Sequence, residues 1–344
     1  MSGGAETLKI IMSLMIGIEN TVHLLHGRPK KPQFQVRLIL DDFVSESLGQ
    51  PLVINELVSW FTFDCMGDFG FGQDFGMMRE RKWLEPILHM HASWSLLGVF
   101  SPAIWVPRIS FAFFPIGKAQ DWFKALAFSE SLLKTCLERE SGQADIVSEF
   151  IRDYQKSKRD QIDYSKLSGD ASVLLFTGTD TTASSLIIVL YFLARFPSHV
   201  EKIQEELRTV DIRDVRALTS LPHLTGTINE SMRLLPVALT TNPGSRVTPA
   251  EGLTVDGTFI PGGVKICTSR FVLGKLNSAY EEPESFIPER WYSRPELIKD
   301  RRAFAPFGIE AVLGYAAIEA HFSPRLVTIF EDEKGPELRQ ATAA

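Results

Sequence analysis

The chain has 344 residues, of which 44% are hydrophobic and 23% are charged. This composition is that of a globular protein, and the length suits one large or two modest domains. The formal net charge of −6 argues against a nucleic-acid partner, because nucleic-acid-binding proteins carry clustered positive charge. Three widely separated cysteines without a C-x-x-C pair argue against a disulfide scaffold and fit a reducing compartment; they are Cys65, Cys136 and Cys267.

Two apolar segments bear on targeting. Leu8–Ile18 is short, follows Glu6 rather than a basic cluster and lacks an A-x-A cleavage site, so it predicts a packed helix and not a signal peptide. Ser185–Ala194 is the most apolar later run, and it is shorter than the roughly twenty residues that a bilayer requires. The sequence therefore predicts no transmembrane helix.

The first half of the chain looks helical and is unusually aromatic between Trp60 and Phe114. These residues suit a large hydrophobic core, which is the usual place of aromatic side chains. A chamber for an apolar substrate would use the same residue types. The aromatic pattern alone does not decide between the two.

The second half predicts three helices in succession. Asp170–Phe196 has the pattern of a long helix, which ends at Pro197 because proline cannot donate to the helical hydrogen bonds. Ser198 and Glu201 have the spacing of a capping box, which predicts that they open the next helix. A third helix carries apolar residues on one face over Leu224–Leu235 and is ended by a proline.

Signals for strands and turns follow the third helix. Asp256-Gly257 predicts a hairpin turn, and Pro261-Gly262-Gly263 predicts a second turn before a strand over Val264–Thr268. Many helices followed by a small sheet predict a mainly α fold with a small β region, in the α+β class.

Polar residues interrupt the long apolar helix at Thr177-Gly178-Thr179-Asp180-Thr181-Thr182. Glycine costs a helix about 1 kcal/mol relative to alanine, and buried polar groups need partners. A helix accepts such residues where another group approaches its backbone, or where the hydroxyls bond back to its own carbonyls. The residues by themselves leave both explanations open.

A second motif is Glu230-x-x-Arg233 on the third helix, whose members share one helix face. As an exposed ion pair it would contribute only a few tenths of a kcal/mol. Pro288-Glu289-Arg290-Trp291 is a third motif, later in the chain.

In this order and spacing, the three motifs resemble those of the cytochromes P-450 of fungal type, which are haem-thiolate monooxygenases. The resemblance extends over about residues 40–308. It implies that residues 1–344 form a single domain with an incomplete cytochrome P-450-like fold. By resemblance, Gly178 leaves room for dioxygen, and Asp180 and Thr181 deliver protons on the oxygen-binding side of the haem.

The resemblance implies roles for further residues. Glu230, Arg233 and Arg290 would form a buried network that holds the fold around the haem. Arg246 resembles the strand arginine that pairs with a haem propionate, for which the alternative is a surface arginine. Phe307 and Gly308 would mark the edge of the haem loop.

The sequence departs from the family after Ile309. The family's loop is F-G-x-G-x-R-x-C-x-G, whose cysteine binds the iron. An ungapped continuation places Gly314 at the position of that cysteine, and residues 309–344 form a divergent tail. No metal ligand is therefore identifiable. A catalytically inactive remnant, or a mis-spliced product that lacks this cysteine, is the alternative to an active enzyme.

The resemblance also implies partners and a location. The expected cofactor is haem b with its iron, and the expected partners are dioxygen, an NADPH-dependent flavoprotein reductase and a hydrophobic small-molecule substrate, with no nucleic acid. The expected activity is an oxidation in fungal secondary-metabolite biosynthesis. Members of the family are expected at the endoplasmic reticulum membrane. The sequence of this chain gives no signal for a membrane anchor, and a protein without one is expected to be cytoplasmic.

Overall fold

The computed structural model describes residues 42, 54–100, 109, 117–139, 145–156, 161–211, 214–237, 246–255, 257–306 and 328–330. Most of these residues are helical, and the strands are few and short. The predicted class, mainly α with a small β region, is therefore confirmed. The predictions for Leu8–Ile18, for Phe307 and Gly308 and for the position of Gly314 lie outside the described residues.

Helices account for most of the described chain. In order they are α1 (Ile54–Phe71), α2 (Met77–Glu80), α3 (Glu85–Phe100), α4 (Lys118–Glu138), α5 (Ile146–Lys156), α6 (Gln161–Arg195), α7 (Pro197–Leu207), α8 (Val215–Thr219), α9 (Pro222–Leu234) and α10 (Arg270–Leu273). Short 3-10 helices cover Pro288–Trp291, Pro295–Leu297 and Arg301–Ala303.

The strands are β1 (Arg246–Val247), β2 (Leu253–Val255), β3 (Thr258–Ile260), β4 (Lys265–Cys267) and β5 (Thr328–Phe330). One sheet has the order β1-β4-β5 with antiparallel pairing, and β2 and β3 form an antiparallel hairpin. Gly257 turns this hairpin with a φ of 76°, which favours glycine. The predicted hairpin is confirmed.

The chain divides into two compact units, Met1–Leu224 and Thr225–Ala344. The first is built on α6, which packs against α1, α4, α5 and α7. Its core is formed by buried aromatic and aliphatic side chains, among them Phe61, Phe63, Phe71, Met90 and Leu175. Core packing thus explains much of the aromatic content of the first half. The prediction of a single domain stays a prediction.

The long helix α6 begins at Gln161 rather than at Asp170, because polar residues such as Lys166 occupy its exposed side and do not interrupt it. It ends at Arg195, as the proline at 197 predicts. By length and composition alone, its segment Tyr164–Arg195 could cross a membrane, with a mean hydropathy of 1.6 over the most apolar window. The sequence prediction was based on only the shorter apolar run Ser185–Ala194 and therefore did not include such a helix.

The capping box predicted at Ser198 and Glu201 is wrong. Helix α7 begins at Pro197, and its N-cap is Phe196, which makes no side-chain capping hydrogen bond. Proline is well suited to the first helical position, because its fixed φ is helical and its missing N–H would have no partner there. The helix therefore starts before the serine can cap it.

The second unit has its own small core under the hairpin and the sheet. Buried residues from the strands and α10 form it: Val255, Ile260, Val264, Ile266 and Leu273. The predicted strand at 264–268 is observed as β4, and it pairs on its other edge with β5 from the divergent tail. Helix α9 ends at Leu234, close to the predicted end.

Candidate functional site

The threonines of the segment Thr177–Thr182 bond back to carbonyls of their own helix. Thr181 Oγ1 donates to the Thr177 carbonyl at 2.7 Å, and Thr182 Oγ1 donates to the Gly178 carbonyl at 2.8 Å. Thr179, which is fully buried, donates to the Leu175 carbonyl at 2.8 Å. These bonds satisfy hydroxyls in an apolar helix, as one of the two explanations from the sequence requires.

The same segment also allows a close approach of two helices. A side-chain carbon added at Gly178 would lie 2.5 Å from Cε of Met66 on α1. The end of the Met66 side chain therefore approaches the backbone of α6 at this glycine, so the second explanation applies as well. Space for dioxygen beside Gly178 stays a prediction.

Asp180 is bound by a distant residue. One of its carboxylate oxygens, Oδ1, lies 3.2 Å from Nε2 of His91 on α3. The two side chains are 20% and 34% exposed, so water reaches both. The ring of His91 makes edge contacts with Phe63 on α1 and with Trp83, at centroid distances of 6.0 and 5.1 Å.

The second motif lies in the second unit and is fully buried. The Glu230 carboxylate accepts two hydrogen bonds from Arg233, at 2.9 and 2.8 Å, and one from Nε of Arg290 at 2.9 Å. It also accepts from the backbone N–H of Ile287 at 3.0 Å and from the indole N–H of Trp291 at 2.9 Å. The structure thus brings together the three residues that the sequence analysis grouped.

Backbone carbonyls bind most of the remaining guanidinium hydrogens. Arg233 donates to the carbonyls of Gly274, Pro283 and Ser285. Arg290 donates to the carbonyls of Glu281, Glu282 and Leu297. Two buried cations against one carboxylate leave a net positive charge, and these six carbonyl dipoles partly compensate for it.

The aromatic ring of Tyr280 completes the surroundings of the two guanidinium groups. The central carbon of Arg233 lies 4.9 Å from the ring centroid, and that of Arg290 lies 5.8 Å away. Both distances permit a cation–π interaction. Burial raises the pKa of the Tyr280 hydroxyl above its usual range, so the group stays neutral.

Sequence reasoning missed two partners in these sites. Trp291 stands out only as part of its motif, and its indole N–H is the one feature that signals a possible hydrogen bond. His91 gives no signal beyond being a polar residue in an apolar stretch, because its partner is 89 residues away.

The other predicted cofactor residues are described only in part. Arg246 lies in β1, where its backbone is paired with Ile266, and its side chain is outside the described part of the chain. Arg270 donates to the carbonyl of Pro306 at 3.2 Å, immediately before the predicted loop edge at 307 and 308. Of the predicted cofactor residues Arg246, Phe307 and Gly308, the structure thus describes only the backbone of Arg246.

Among the two cysteines whose side chains are described, both are buried in the helical core. The Cys136 thiol donates to the Phe71 carbonyl at 3.4 Å. Burial raises the pKa of this thiol, which keeps it protonated. Neither the described position of Cys65 nor that of Cys136 suits a thiolate ligand.

Comparison with known proteins agrees with the order of the motifs. The model of the family "Cytochrome P450" matches residues 35–309. The chain is 34% identical over 298 residues to "Cytochrome P450 monooxygenase sthD" of Phaeosphaeria nodorum, covering 84% of this chain and 58% of that protein. It is 32% identical over 263 residues to "Tryprostatin B 6-hydroxylase" of Aspergillus fumigatus, covering 74% and 46%.

A third relative is "Cytochrome P450 monooxygenase notG'" of Aspergillus versicolor, with 33% identity over 274 residues, covering 77% of this chain and 48% of that protein. The chain spans about half the length of these curated relatives. The matched region contains both motif sites described above. The chain therefore belongs to the cytochrome P450 family of haem-dependent monooxygenases.

Proposed function

We propose that this protein is a monooxygenase that oxidises a hydrophobic small molecule in fungal secondary metabolism. The names of its relatives support this, since they are fungal monooxygenases and one is called a tryprostatin B 6-hydroxylase. They favour an active monooxygenase over the alternative of an inactive remnant. Because the chain spans about half of each relative, its activity, substrate and partners all belong to this proposal.

Members of the family use haem, dioxygen and a redox partner and act on small molecules, and fungal members are typically membrane-associated. We extend this to an NADPH-dependent flavoprotein reductase as electron donor and to the endoplasmic reticulum membrane as location. Haem supplies the redox-active iron that activates dioxygen. Orientation and the movement of protons fall to the protein's own side chains.

The described residues fit one side of a haem better than the other. On α6, Thr177, Thr181 and Thr182 are exposed, and they form a polar patch in the more apolar half of the helix. On the opposite side, the family requires a thiolate, which neither cysteine with a described side chain supplies. We therefore assign roles only on the oxygen-binding side.

The adjacent residues Asp180 and Thr181 carry the proposal. A partly exposed carboxyl group and an exposed alcohol at consecutive helix positions can pass protons through water. In the structure the Thr181 hydroxyl donates to the Thr177 carbonyl, and it must rotate away from this acceptor to donate outwards. The loss of one neutral hydrogen bond, about 1 kcal/mol, makes this rotation accessible.

Measuring product formed per NADPH consumed tests these roles in the haem-loaded protein. We expect Thr181→Ala to consume NADPH with less product and more hydrogen peroxide, and Asp180→Asn to slow turnover. Thr135→Ala is the matched control, because the Thr135 hydroxyl also donates to a carbonyl four residues earlier, on α4. An unchanged ratio in Thr181→Ala would show that this threonine does not deliver protons.

A further inference from the structure

Asp180 is linked to α3 by a hydrogen bond in which the carboxylate is the acceptor and His91 is the donor. An ionised carboxylate only accepts hydrogen bonds, so at 3.2 Å the hydrogen lies on Nε2 of His91. The contact joins residues 89 positions apart, on two different helices. It therefore depends on the tertiary fold and not on a local turn of α6.

The ring of His91 is itself held in place. Phe63 and Trp83 contact it edge-on, at interplanar angles of 63° and 76°. Trp83 is oriented in turn by a hydrogen bond from its indole N–H to Glu56 Oε1 at 3.3 Å. An imidazole restrained on two sides points its Nε2–H in one direction, towards the carboxylate.

We propose that His91 is a positioning residue for Asp180: its Nε2–H holds Oδ1, and proton exchange takes place at the second oxygen, Oδ2. This inference rests on the proposed role of Asp180 in proton delivery. Without the histidine, the carboxylate of a partly exposed residue on a helix surface would populate several rotamers. With it, one oxygen is fixed and the other faces a defined direction.

A second histidine on the same helix provides a matched control. His89 lies two residues earlier, and its Nδ1 is 2.8 Å from Asp121 on α4. Its Nε2 is 3.5 Å from both Glu85 and Lys124. Changing His89 therefore alters a histidine–carboxylate contact on α3 without touching Asp180.

The contact can be tested in the full chain without haem. With ¹⁵N-labelled histidine, His91→Phe identifies the His91 signals among those of the seven histidines. We expect a hydrogen on Nε2 that exchanges with water more slowly than the same hydrogen does in Asp180→Ala. Asp180→Asn, which keeps the shape and one acceptor oxygen, should give an intermediate rate. An exchange rate that is the same in all three proteins would overturn the proposal.

The consequence for the reaction is tested by product per NADPH in the haem-loaded protein. His91→Phe keeps a ring between Phe63 and Trp83 but removes the donor, and we expect the ratio to fall about tenfold, the effect of losing a hydrogen bond to a charged group. His91→Gln restores a donor and should recover most of the ratio. His89→Phe should leave the ratio unchanged.

The outcomes separate the two levels of the argument. If Thr181→Ala and Asp180→Asn lower the ratio and His91→Phe does not, the inference about His91 is wrong while the proposed function stands. If none of the three variants lowers it, the proposed proton-delivery role fails, whereas the exchange measurement still decides whether His91 holds the carboxylate.

Discussion

Removing the carboxylate of Glu230 should be among the most destabilising single changes in the second unit. Five N–H donors bind this group: two from Arg233 and one each from Arg290, Ile287 and Trp291. Glu230→Ala leaves two guanidinium groups buried without a counter-charge, since Arg233 is 2% exposed and Arg290 is 0% exposed. Breaking such a buried pair costs about 3–5 kcal/mol. That is a large part of a typical free energy of unfolding of about 5–15 kcal/mol.

The chain offers an exposed pair with the same spacing as a control. Glu149 and Arg152 are also three residues apart on a helix, and their charged atoms are 2.8 Å apart. Their side chains are 61% and 60% exposed, so water screens the interaction. Glu149→Ala should therefore lower the free energy of unfolding by less than about 1 kcal/mol.

Urea unfolding of the full chain, followed by far-UV circular dichroism, measures these differences. Glu230→Ala and Arg290→Ala should each cost several times more than Glu149→Ala. The double variant should cost less than the two single losses together, because the second change no longer strands a charge. Additive losses below about 1 kcal/mol each would refute a buried charge network.

Three further changes test other features. Burial raises the pKa of Asp64 to about 6 from 3.8, so ionisation opposes folding, and the free energy of unfolding should fall by about 2 kcal/mol as the pH rises from 4 to 7; Asp64→Asn should remove this contribution to the pH dependence in urea melts at several pH values. Tyr280→Phe should leave the unfolding midpoint unchanged or raise it, because no described residue bonds the buried hydroxyl, whereas Tyr280→Leu should lower it by losing the ring beneath the guanidinium groups. Gly178→Ala should change stability by less than about 1 kcal/mol, since better helix propensity offsets a contact with the flexible end of Met66; a larger loss in urea melts would mean that Met66 cannot move aside.

The pair of E-x-x-R motifs shows what the sequence can and cannot predict. Glu149–Arg152 and Glu230–Arg233 have identical residue types and spacing, and both lie on helices. One pair is in water and the other is fully buried. Spacing predicts that the two side chains can meet, but burial depends on what else packs there. Only the resemblance to the family, through Pro288–Trp291, distinguished the buried pair beforehand.

Local signals predicted helix ends and turns well where proline or glycine set them. The end of α6 before Pro197 and the hairpin at Gly257 follow from backbone constraints of single residues. The capping box at Ser198 failed because two local signals competed and the proline determined the start of the helix. When two such signals lie next to each other, their spacing alone does not predict which residue begins the helix.

Long-range partners could not be predicted. The Asp64 carboxylate accepts the backbone N–H groups of Met77 and Met78 at the start of α2, and Asp180 contacts His91. Both contacts join separate helices, and neither partner is marked by a motif. They follow from how α1 packs against α2 and α3 against α6, which depends on the whole core.

The polar residues of α6 between Thr177 and Thr182 differ in where their hydrogen-bond partners lie. Thr179, Thr181 and Thr182 bond to carbonyls of their own helix, so α6 alone accounts for their hydrogen bonds. Asp180 instead draws its partner, His91, from another helix, and both remain partly open to water. A carboxylate held by one oxygen can take up and return a proton at the other oxygen, and the next residue carries a hydroxyl that can rotate and relay it. Substitutions of Asp180 and His91 are therefore the first to test for an effect on proton delivery.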